Sequence, residues 1–323
     1  MSKVLGMGEI MVQFNPTEKG SLLYQRMFER HVAGSEANII IQMQKLDIET
    51  SFITAVGSES FGEIILATLR EEGVNTDNVK IDENHPTGIY FVQRSYPFPG
   101  KTSVIYYRKN SAASKIIPKD LDEKILEDVE MFVVSGITPA LGDDVRNSAM
   151  KVIDMCKRKG IKVAFDTNIR INLLKTREKA YECLQPFLEK SDIVFTGMGD
   201  LSLLFDGEFE EKISQFRKLT KEAELLVIKM GEKGALALNE EKTYKNESFK
   251  VSVIDELGAG DAFDGAFLAS LLKGYDINEA LKYGCAAGAI TVSLKGDIEP
   301  LPKWKDLELF LDVYSSGESR LLR

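Results

Sequence analysis

The sequence predicts an α/β fold built on a doubly wound, mostly parallel sheet that is flanked by helices. Short apolar runs rich in Val and Ile alternate with helical patterns over most of the 323 residues. The runs are apolar at consecutive positions, which indicates burial on both faces, as in a parallel sheet between helices. Strand, helix and strand repeated this often are typical of doubly wound folds. The predicted strands are residues 4–8, 51–56, 131–135, 161–165, 192–195 and 225–230.

Helical patterns fill most of the intervals between these strands. The predicted helices are residues 36–46, 61–72, 143–159 and 176–189. Residues 260–294 are predicted to form two further helices, whose high Ala and Gly content allows close packing. A last helix is expected over residues 304–314, and the polar residues 315–323 are expected to fray.

One region departs from this alternation and is rich in β-forming residues. Residues 88–94 and 102–108 flank a loop punctuated by Pro and Gly, which is the pattern of a hairpin. Together with the β-prone residues 11–14, the hairpin predicts a small sheet that projects from the main domain. The alternative is an antiparallel edge on the main sheet, since mixed sheets are common. The chain length favours one large domain over residues 1–323 that carries this appendage.

Composition disfavours several classes of function. The chain has 41 Lys and Arg against 50 Asp and Glu residues, and the net charge of −9 disfavours nucleic-acid binding, which needs a positive face. The scattered Cys156, Cys183 and Cys285, with only His31 and His85, indicate neither a disulfide framework nor a zinc site. No apolar run reaches the ~18 residues of a spanning helix. The amino terminus lacks a signal-peptide pattern, so we expect a cytoplasmic protein without a membrane partner.

The strongest candidate for chemistry is the run Gly258-Ala259-Gly260-Asp261. It follows the β-prone residues 249–254 and leads into a predicted helix. Small residues let backbone N–H groups approach an anion closely, and the positive end of the helix dipole adds to the attraction. Asp261 could then take a proton from an attacking hydroxyl, although an acidic residue at a helix start also serves as a cap.

This run resembles the Gly-Ala-Gly-Asp signature of the ribokinase-type, or PfkB, carbohydrate kinases. Other stretches follow the order and spacing of that family, namely residues 33–38 (Ala-Gly-Ser-Glu-Ala-Asn), Asp166-Thr-Asn168-Ile-Arg170 and Lys229-Met-Gly231-Glu-Lys-Gly234. The resemblance covers nearly the whole chain. It implies a ribokinase-like fold and phosphoryl transfer from ATP, with Mg²⁺ as cofactor, to a small-molecule sugar. It also implies a small β-sheet lid formed by about residues 11–30 and 86–110.

Within that family the likeness is strongest to the 2-keto-3-deoxygluconate kinases of archaeal type. It rests on the runs Thr87-Gly88-Ile89-Tyr90, Ile105-Tyr106-Tyr107-Arg108 and Lys295-Gly296-Asp297. It implies that 2-keto-3-deoxygluconate, and with it the galactose-derived epimer, is phosphorylated on the terminal hydroxyl. An Arg fork pairs well with the carboxylate of such a sugar acid, and Arg108 and Arg170 are the candidates.

The resemblance also implies roles for individual residues. Asp261 is expected to act as general base, and the backbone of Gly258, Ala259 and Gly260 to bind the transferred phosphoryl group. The residues expected to bind the sugar, besides Asp261, are Gly34, Asn38, Tyr90, Tyr106, Arg108, Arg170 and Asp297. The residues expected to bind ATP are Asn168, Lys229, Gly231, Gly234, Gly258 and Gly260. A homodimer or tetramer formed through the lid is also expected.

Plainer structural explanations exist for several of these residues. Arg108 could lie on a solvated strand face, and Asp297 could end a helix. Residues 34–38 could be a loop and the start of a helix, and residues 231–234 could be a hairpin turn.

The chain departs from the family pattern in two places. Glu256 and Leu257 stand where the family commonly has two Thr, which leaves open whether a monovalent cation activates the protein. The run Thr196-Gly-Met-Gly-Asp200 lacks the Asn and the Glu of a magnesium-linked motif. The side chains that hold the metal are therefore left open, with Asp200 as one candidate.

Three other functions stay open at this point. The nearest is another sugar or nucleoside kinase of the same family, such as a fructokinase or a ribokinase. A non-catalytic sugar or nucleotide sensor of the same fold is the second. An NAD-dependent dehydrogenase is disfavoured, because Gly6 and Gly8 are not followed by the third Gly of the fingerprint and Met11 stands in its place. Close packing at a strand end explains both glycines better.

Overall fold

The computed structural model of the chain describes residues 3–99 and 102–316. Residues 315 and 316, which are expected to fray, are helical instead. The rest of the predicted fraying, from residue 317 onward, lies outside the described residues, as do residues 100 and 101 of the predicted hairpin loop. The strands are β1 (Val4–Met7), β2 (Met11–Pro16), β3 (Phe28–Ala33), β4 (Thr50–Gly57), β5 (Val79–Asp82), β6 (Ile89–Arg94), β7 (Thr102–Tyr107), β8 (Met131–Ser135), β9 (Lys162–Asp166), β10 (Ile193–Gly197), β11 (Leu225–Lys229), β12 (Ala235–Leu238) and β13 (Thr243–Asn246). The helices are α1 (Ser35–Lys45), α2 (Ser60–Glu71), α3 (Ile137–Ala140), α4 (Asp143–Lys159), α5 (Ile171–Leu174), α6 (Arg177–Lys190), α7 (Met198–Leu204), α8 (Phe209–Leu219), α9 (Ala259–Leu272), α10 (Ile277–Val292) and α11 (Trp304–Ser316).

The main sheet confirms the predicted doubly wound α/β fold. Among the described residues its strands lie in the order β13-β12-β11-β10-β9-β8-β1-β4-β5. The strands from β11 to β5 are parallel, whereas β12 and β13 turn back antiparallel at one edge. Every residue of β4 and β8 is buried. Burial on both faces is the physical reason why these strands read as continuous apolar runs.

Helices cover both faces of the main sheet and divide the core into two layers. On one face α1, α9 and α10 bury residues such as Phe52 and Phe267. On the other face α4 and α6 do the same, and Phe165 stacks on Phe187 with 5.6 Å between the ring centroids. The predicted strands and helices that the structure contains agree with the observed bounds to within two residues.

A second, small sheet is built from β3, β2, β6 and β7, in that order. β2 pairs antiparallel with β3 and parallel with β6, and β6 pairs antiparallel with β7. The predicted projecting sheet is therefore confirmed, and the alternative, that these residues form an edge of the main sheet, is wrong. The antiparallel edge of the main sheet is formed by β12 and β13 instead.

Two local expectations have different outcomes. Residues 249–254, which are β-prone in sequence, form no strand, and the Ile254 N–H donates to the Val292 carbonyl oxygen (2.7 Å) at the end of α10. Close packing at Gly6 and Gly8 is confirmed, since a Cβ at either position would collide with the side chain of Ile40 or of Glu36. Within residues 3–99 and 102–316, no helix is long and apolar enough to cross a bilayer.

Candidate active site

The centre of the site is the turn that leads into α9. Gly258 is the N-cap of this helix and has a φ of +75°, which favours a residue without a Cβ. The amide groups of Ala259, Gly260 and Asp261 are the first of the helix and have no intrahelical acceptor. A helix start with unpaired amide groups is suited to binding an anion. Asp261 lies inside the first turn and not at the cap, so the plainer explanation of Asp261 as a helix cap is wrong.

Two side chains from α1 donate hydrogen bonds to the carboxylate of Asp261. The Ser35 hydroxyl donates to Oδ1 and the Asn38 amide donates to Oδ2, both over 2.8 Å. The Asn168 amide donates in turn to the Ser35 oxygen (2.5 Å), and the Gly34 N–H donates to Asn38 Oδ1 (3.3 Å). These contacts fix the orientation of the carboxylate between α1, α9 and the turn after β9.

The pKa of Asp261 is raised from 3.8 to about 6. Burial is the largest cause, and the hydrogen bonds from Asn38 and Ser35, with the positive charge of Lys229, offset part of it. A carboxylate with this pKa is mostly ionised at neutral pH and is still basic enough to accept a proton in a transition state.

A buried cluster of charges lies beneath the helix start. Lys229, at the end of β11, donates to Asp166 Oδ2 (3.0 Å) and to Asp264 Oδ2 (2.8 Å). Burial lowers the pKa of Lys229, but the two carboxylates outweigh it and raise that pKa above its usual value. The Lys229 ammonium lies 3.5 Å from where a Cβ of Gly260 would be. The lysine thus binds carboxylates directly and brings a positive charge close under the anion site.

A cavity of about 720 Å³ opens beside the helix start. Ala259 and Gly260 line one side of it, and the turn between β11 and β12 lines another through Gly231 and Gly234. Both of these glycines have positive φ values, +57° and +88°. A Cβ at Gly234 would also collide with the backbone of the neighbouring strand β13. The plainer reading of residues 231–234 as a hairpin turn is correct, and the same turn borders the cavity.

On the other side of Asp261, the small sheet contributes polar groups to the site. The Gln13 amide donates to the Tyr90 hydroxyl oxygen (2.6 Å) and to Asp297 Oδ2 (2.7 Å). The rings of Tyr90 and Tyr106 lie 5.5 Å apart. Asp297 does not end a helix, because α10 stops at Val292; it lies buried in a loop, and burial is the main cause that raises its pKa to about 7.

The two candidate arginines differ in their surroundings. Arg108 follows β7, is buried, and forms an ion pair with Glu9, which also accepts a hydrogen bond from Ser111. Its guanidinium carbon lies 5.3 Å from the centre of the Tyr106 ring. The explanation of Arg108 as part of a solvated strand face is therefore wrong. Arg170, in the turn after β9, is exposed.

Asp200 is not placed as a free metal ligand. It accepts hydrogen bonds from the Thr167 hydroxyl (2.7 Å) and the Ile169 N–H (3.0 Å), and burial raises its pKa. It therefore fixes the turn that carries Asn168. In the part of the chain that the structure describes, no group of three or more His, Cys, Asp or Glu side chains is arranged to hold a metal ion.

Two residues that take part in this arrangement are not among the site residues predicted from the sequence. Ser35 lies inside the quoted run 33–38, but its partner Asp261 is 226 positions away, so no local pattern indicates the contact. Gln13 connects Tyr90 and Asp297 and carries no sequence signal of its own.

The whole chain compares closely with known proteins. The profile of the pfkB family of carbohydrate kinases matches residues 1–304. The chain belongs to the pfkB family of carbohydrate kinases. It is thus a phosphotransferase with a ribokinase-like fold, as the sequence resemblance implied.

Relatives and solved structures of the family cover nearly the full length. The chain is 37% identical to the 2-dehydro-3-deoxygluconokinase of Thermoproteus tenax over 96% of this chain and 94% of that protein. It is 30% identical to the 5-dehydro-2-deoxygluconokinase of Halalkalibacterium halodurans, over 96% and 94%. A structure of a candidate ribokinase II from E. coli, in complex with ATP and Mg²⁺, superposes with a TM-score of 0.89 at 28% identity, covering 97% of this chain and 99% of that one.

Proposed function

We propose that the protein phosphorylates 2-keto-3-deoxygluconate on its terminal hydroxyl with ATP as phosphoryl donor. We extend the proposal to the galactose-derived epimer of this sugar acid. The observation that carries it is the placement of Asp261, which is held by two hydrogen bonds in the first turn of a helix whose start is suited to binding an anion. The similarity to a 2-dehydro-3-deoxygluconokinase supports the choice of substrate.

In the proposed reaction, Asp261 accepts the proton of the terminal hydroxyl as the sugar oxygen bonds to the γ-phosphorus. The bond between that phosphorus and the β,γ-bridging oxygen breaks, and ADP leaves. The backbone amide groups of Gly258, Ala259 and Gly260 stabilise the charge on the transferred phosphoryl group. Positioning and charge, rather than a covalent intermediate, account for catalysis.

The cavity beside the helix start is the proposed nucleotide site. Its size suits a nucleotide, and Gly231 and Gly234 let the backbone approach the ligand closely. Two residues expected to bind ATP have other partners, since Asn168 is bonded to Ser35 and Lys229 to two carboxylates. We therefore assign Asn168 to the positioning of the base, and Lys229 to holding Asp166 and Asp264 in place beneath the helix start.

The residues around this cavity fit a magnesium ion that is held mainly by nucleotide phosphates and water. Mg²⁺ commonly has few protein ligands. Asp166, the last residue of β9, already pairs with Lys229, and Asp200 in α7 already accepts two hydrogen bonds, so neither carboxylate is free to be a main ligand. When bound, the ion would neutralise charge on the phosphate oxygens.

The sugar is proposed to lie between Asp261 and the small sheet, which acts as a lid. Asn38, Tyr90, Tyr106 and Asp297 offer hydrogen-bonding groups there. Gly34 allows close approach of backbones, because a Cβ at this position would collide with the Glu9 carbonyl oxygen. The lid would exclude water and so limit wasteful hydrolysis of ATP.

The sugar carboxylate is assigned first to Arg170. Its guanidinium is exposed in the turn next to Asn168, whereas Arg108 is already paired with the buried Glu9. Arg108 then acts on the sugar mainly by holding Tyr106, over whose ring it lies.

We also propose that the small sheet mediates a dimer or a tetramer. Leu23, Tyr24, Met27 and Tyr107 are each at least 63% exposed on or beside it. Exposed apolar side chains on and beside one sheet favour an interface with another protein chain. The cytoplasmic location stays a prediction from the sequence.

The test is an ADP-release assay with ATP and Mg²⁺ across a panel of sugars. The panel contains 2-keto-3-deoxygluconate, its galactose-derived epimer, 5-keto-2-deoxygluconate, fructose and ribose. We expect the highest kcat/KM with 2-keto-3-deoxygluconate. A higher value with a neutral sugar would contradict the assignment of the substrate, and no ADP release with any sugar would favour the non-catalytic sensor.

A further inference from the structure

A buried ion pair joins the small sheet to the anion loop, which we define as residues 255–260. Arg94, the last residue of β6, pairs through Nη2 with Asp255 Oδ2. The side chain of Arg94 is 10% exposed and that of Asp255 is 1% exposed. The guanidinium also donates twice to Asn15 Oδ1, over 3.1 Å from Nε and 2.9 Å from Nη2. The pair therefore connects β6 of the small sheet to the start of the anion loop, 161 positions later in the chain.

The two carboxylate oxygens of Asp255 have different partners, one in the small sheet and one in the anion loop. While Oδ2 faces Arg94, Oδ1 accepts a hydrogen bond from the Leu257 N–H (3.3 Å). The Asp255 N–H itself donates to the Val292 carbonyl oxygen (3.2 Å), which fixes the start of the loop on α10. Gly258 follows next and packs on Asp297, whose Oδ1 lies 3.3 Å from where a Cβ of Gly258 would be. The carboxylate thus determines the path of the loop into the anion site.

A carboxylate buried this deeply needs a compensating positive charge. Removing one partner of a buried ion pair is strongly destabilising, because an uncompensated charge is left in a medium of low polarity. Here the compensating charge is a guanidinium, which is always charged and whose planar fork holds two acceptors at once. Arg94 uses that geometry to hold Asn15 and Asp255 together.

Two other contacts tie the small sheet to the same part of the chain. Gln13 on β2 donates to Asp297 (2.7 Å), and His31 on β3 contacts Glu299 (2.6 Å). Strands β6, β2 and β3 therefore each contact either the anion loop or residues 297–299, of which Asp297 packs on Gly258. Movement of the sheet over the sugar would be transmitted to the amide groups that bind the phosphoryl group.

We propose that Arg94 is a positioning residue for phosphoryl transfer. Its guanidinium supplies the positive charge that Asp255 requires and so fixes the anion loop from the sheet that covers the sugar. Because that charge is built into the chain, the loop needs no inorganic monovalent cation beside Asp255. The inference rests on the proposed function, in which the anion loop binds the transferred phosphoryl group.

The test is the variant Arg94→Ala, assayed with and without added guanidinium ion. We expect kcat to fall by about 10²-fold, the effect of misplacing catalytic groups by roughly 1 Å. The KM for ATP should change much less. Guanidinium at millimolar concentration should restore at least about a tenth of the wild-type kcat, because it can refill the site next to Asp255. The variant Arg94→Lys, which keeps a charge, should lose less than Arg94→Ala.

Arg158→Ala is the matched control. Arg158 pairs with Glu123 on the surface near the end of α4, which leads into the start of β9, whereas the site lies at the carboxyl ends of β9 and β11. Its kcat should equal that of the wild type and should not respond to guanidinium. The wild type should likewise show the same kcat in sodium and in potassium buffers.

A second readout does not depend on activity. Guanidinium at the same concentration should raise the melting temperature of Arg94→Ala, whereas it should not raise that of the wild type or of Arg158→Ala. An Arg94→Ala variant with wild-type kcat, or with a lowered kcat and no response to guanidinium in either assay, would overturn the proposal. So would an absolute requirement of the wild type for potassium. A wild type that phosphorylates no sugar would refute the proposed function, while the melting assay would still decide whether Arg94 compensates Asp255.

Should Arg94→Ala fail to fold, the pair Arg94→Met and Arg94→Met/Asp255→Asn replaces it. Removing both charges should give a kcat at least about 10-fold above that of Arg94→Met alone, because neighbouring residues that act as a pair have non-additive effects. Equal rates in the single and the double variant would count against the proposal.

Discussion

Ser35 offers a quantitative test of how the site controls its base. In the variant Ser35→Ala, Asp261 loses one of its two hydrogen bonds from α1. A hydrogen bond to a charged group contributes about 1.5 kcal/mol, which corresponds to about one pKa unit. The bond favours the ionised carboxylate, so its loss should raise the pKa of Asp261 from about 6 to roughly 7.

The sign of this change fixes the pH at which the effect is seen. A general base must be ionised, so activity falls as the pH drops through the pKa of Asp261. At pH 6.5 the ionised fraction should fall from about three quarters to about one quarter, a roughly threefold loss of kcat/KM. Above about pH 8.5 both proteins are almost fully ionised, and the loss from this cause should vanish.

The assay is ADP release with 2-keto-3-deoxygluconate at pH values from 5.5 to 9. Ser270→Ala is the matched control, because Ser270 is a buried serine of the same helix as Asp261 and its hydroxyl bonds only to the Ala266 carbonyl oxygen among the contacts described. Its pH profile should match that of the wild type. A loss in Ser35→Ala that is the same at every pH would refute the reasoning.

Three further predictions concern the sugar side of the site. Arg170→Ala should raise the KM for the sugar acid by about 10-fold or more, which is the cost of a lost charged hydrogen bond. The KM for ATP and the melting temperature should change little. Equal increases in both KM values would contradict the assignment of the sugar carboxylate to Arg170. Arg108→Ala should instead lower the melting temperature, because Glu9 would stay buried without its guanidinium, and an unchanged melting curve would disprove this. Asp297→Asn should raise the free energy of unfolding above pH 7, by at most about 4 kcal/mol for a shift of about three pKa units. Because the pKa of Asp297 is raised, the wild type loses stability between about pH 4 and pH 7 as this carboxyl ionises. The gain in the free energy of unfolding should therefore disappear near pH 4. A gain that is constant with pH would show that burial of the charge is not its cause.

The main sheet could be predicted from the sequence because its strands are buried on both faces. The run 131–135 is apolar throughout and becomes β8, in which each residue is buried. Strand β3 could not be found in this way, since Phe28–Ala33 contains Glu29, Arg30 and His31 and is largely solvated at its start. Residues 249–254 have the composition of a strand, but they join neither sheet; the Lys250 N–H donates to the Tyr314 hydroxyl oxygen and the Ile254 N–H to the Val292 carbonyl oxygen instead.

The candidate site could be predicted only as far as its residues lie in short runs. Asp261 and the glycines before it are found because a single turn carries the whole anion site. Contacts between distant segments carry no local signal, and the most informative ones here are of that kind. Ser35 with Asp261 and Arg94 with Asp255 are 226 and 161 positions apart.

The same limit explains why the surroundings of Arg108 and Lys229 differ from those expected from the sequence. Arg108 alternates with apolar residues as an exposed strand residue does, yet a buried Glu9 lies 99 positions earlier in the chain and pairs with it. Lys229 lies next to a glycine turn, but it ends a buried strand between two carboxylates, where an ammonium ion is needed to compensate their charge.

The most direct measurement of the central claim is the turnover of Asp261→Asn with ATP and 2-keto-3-deoxygluconate. An amide at this position keeps the shape of the side chain but cannot take up the proton of the alcohol. We predict a kcat reduced by roughly 10²- to 10⁴-fold, with the KM for ATP and the melting temperature close to those of the wild type. A variant that turns over near the wild-type rate would exclude Asp261 as the base and, with it, the reaction assigned to this site.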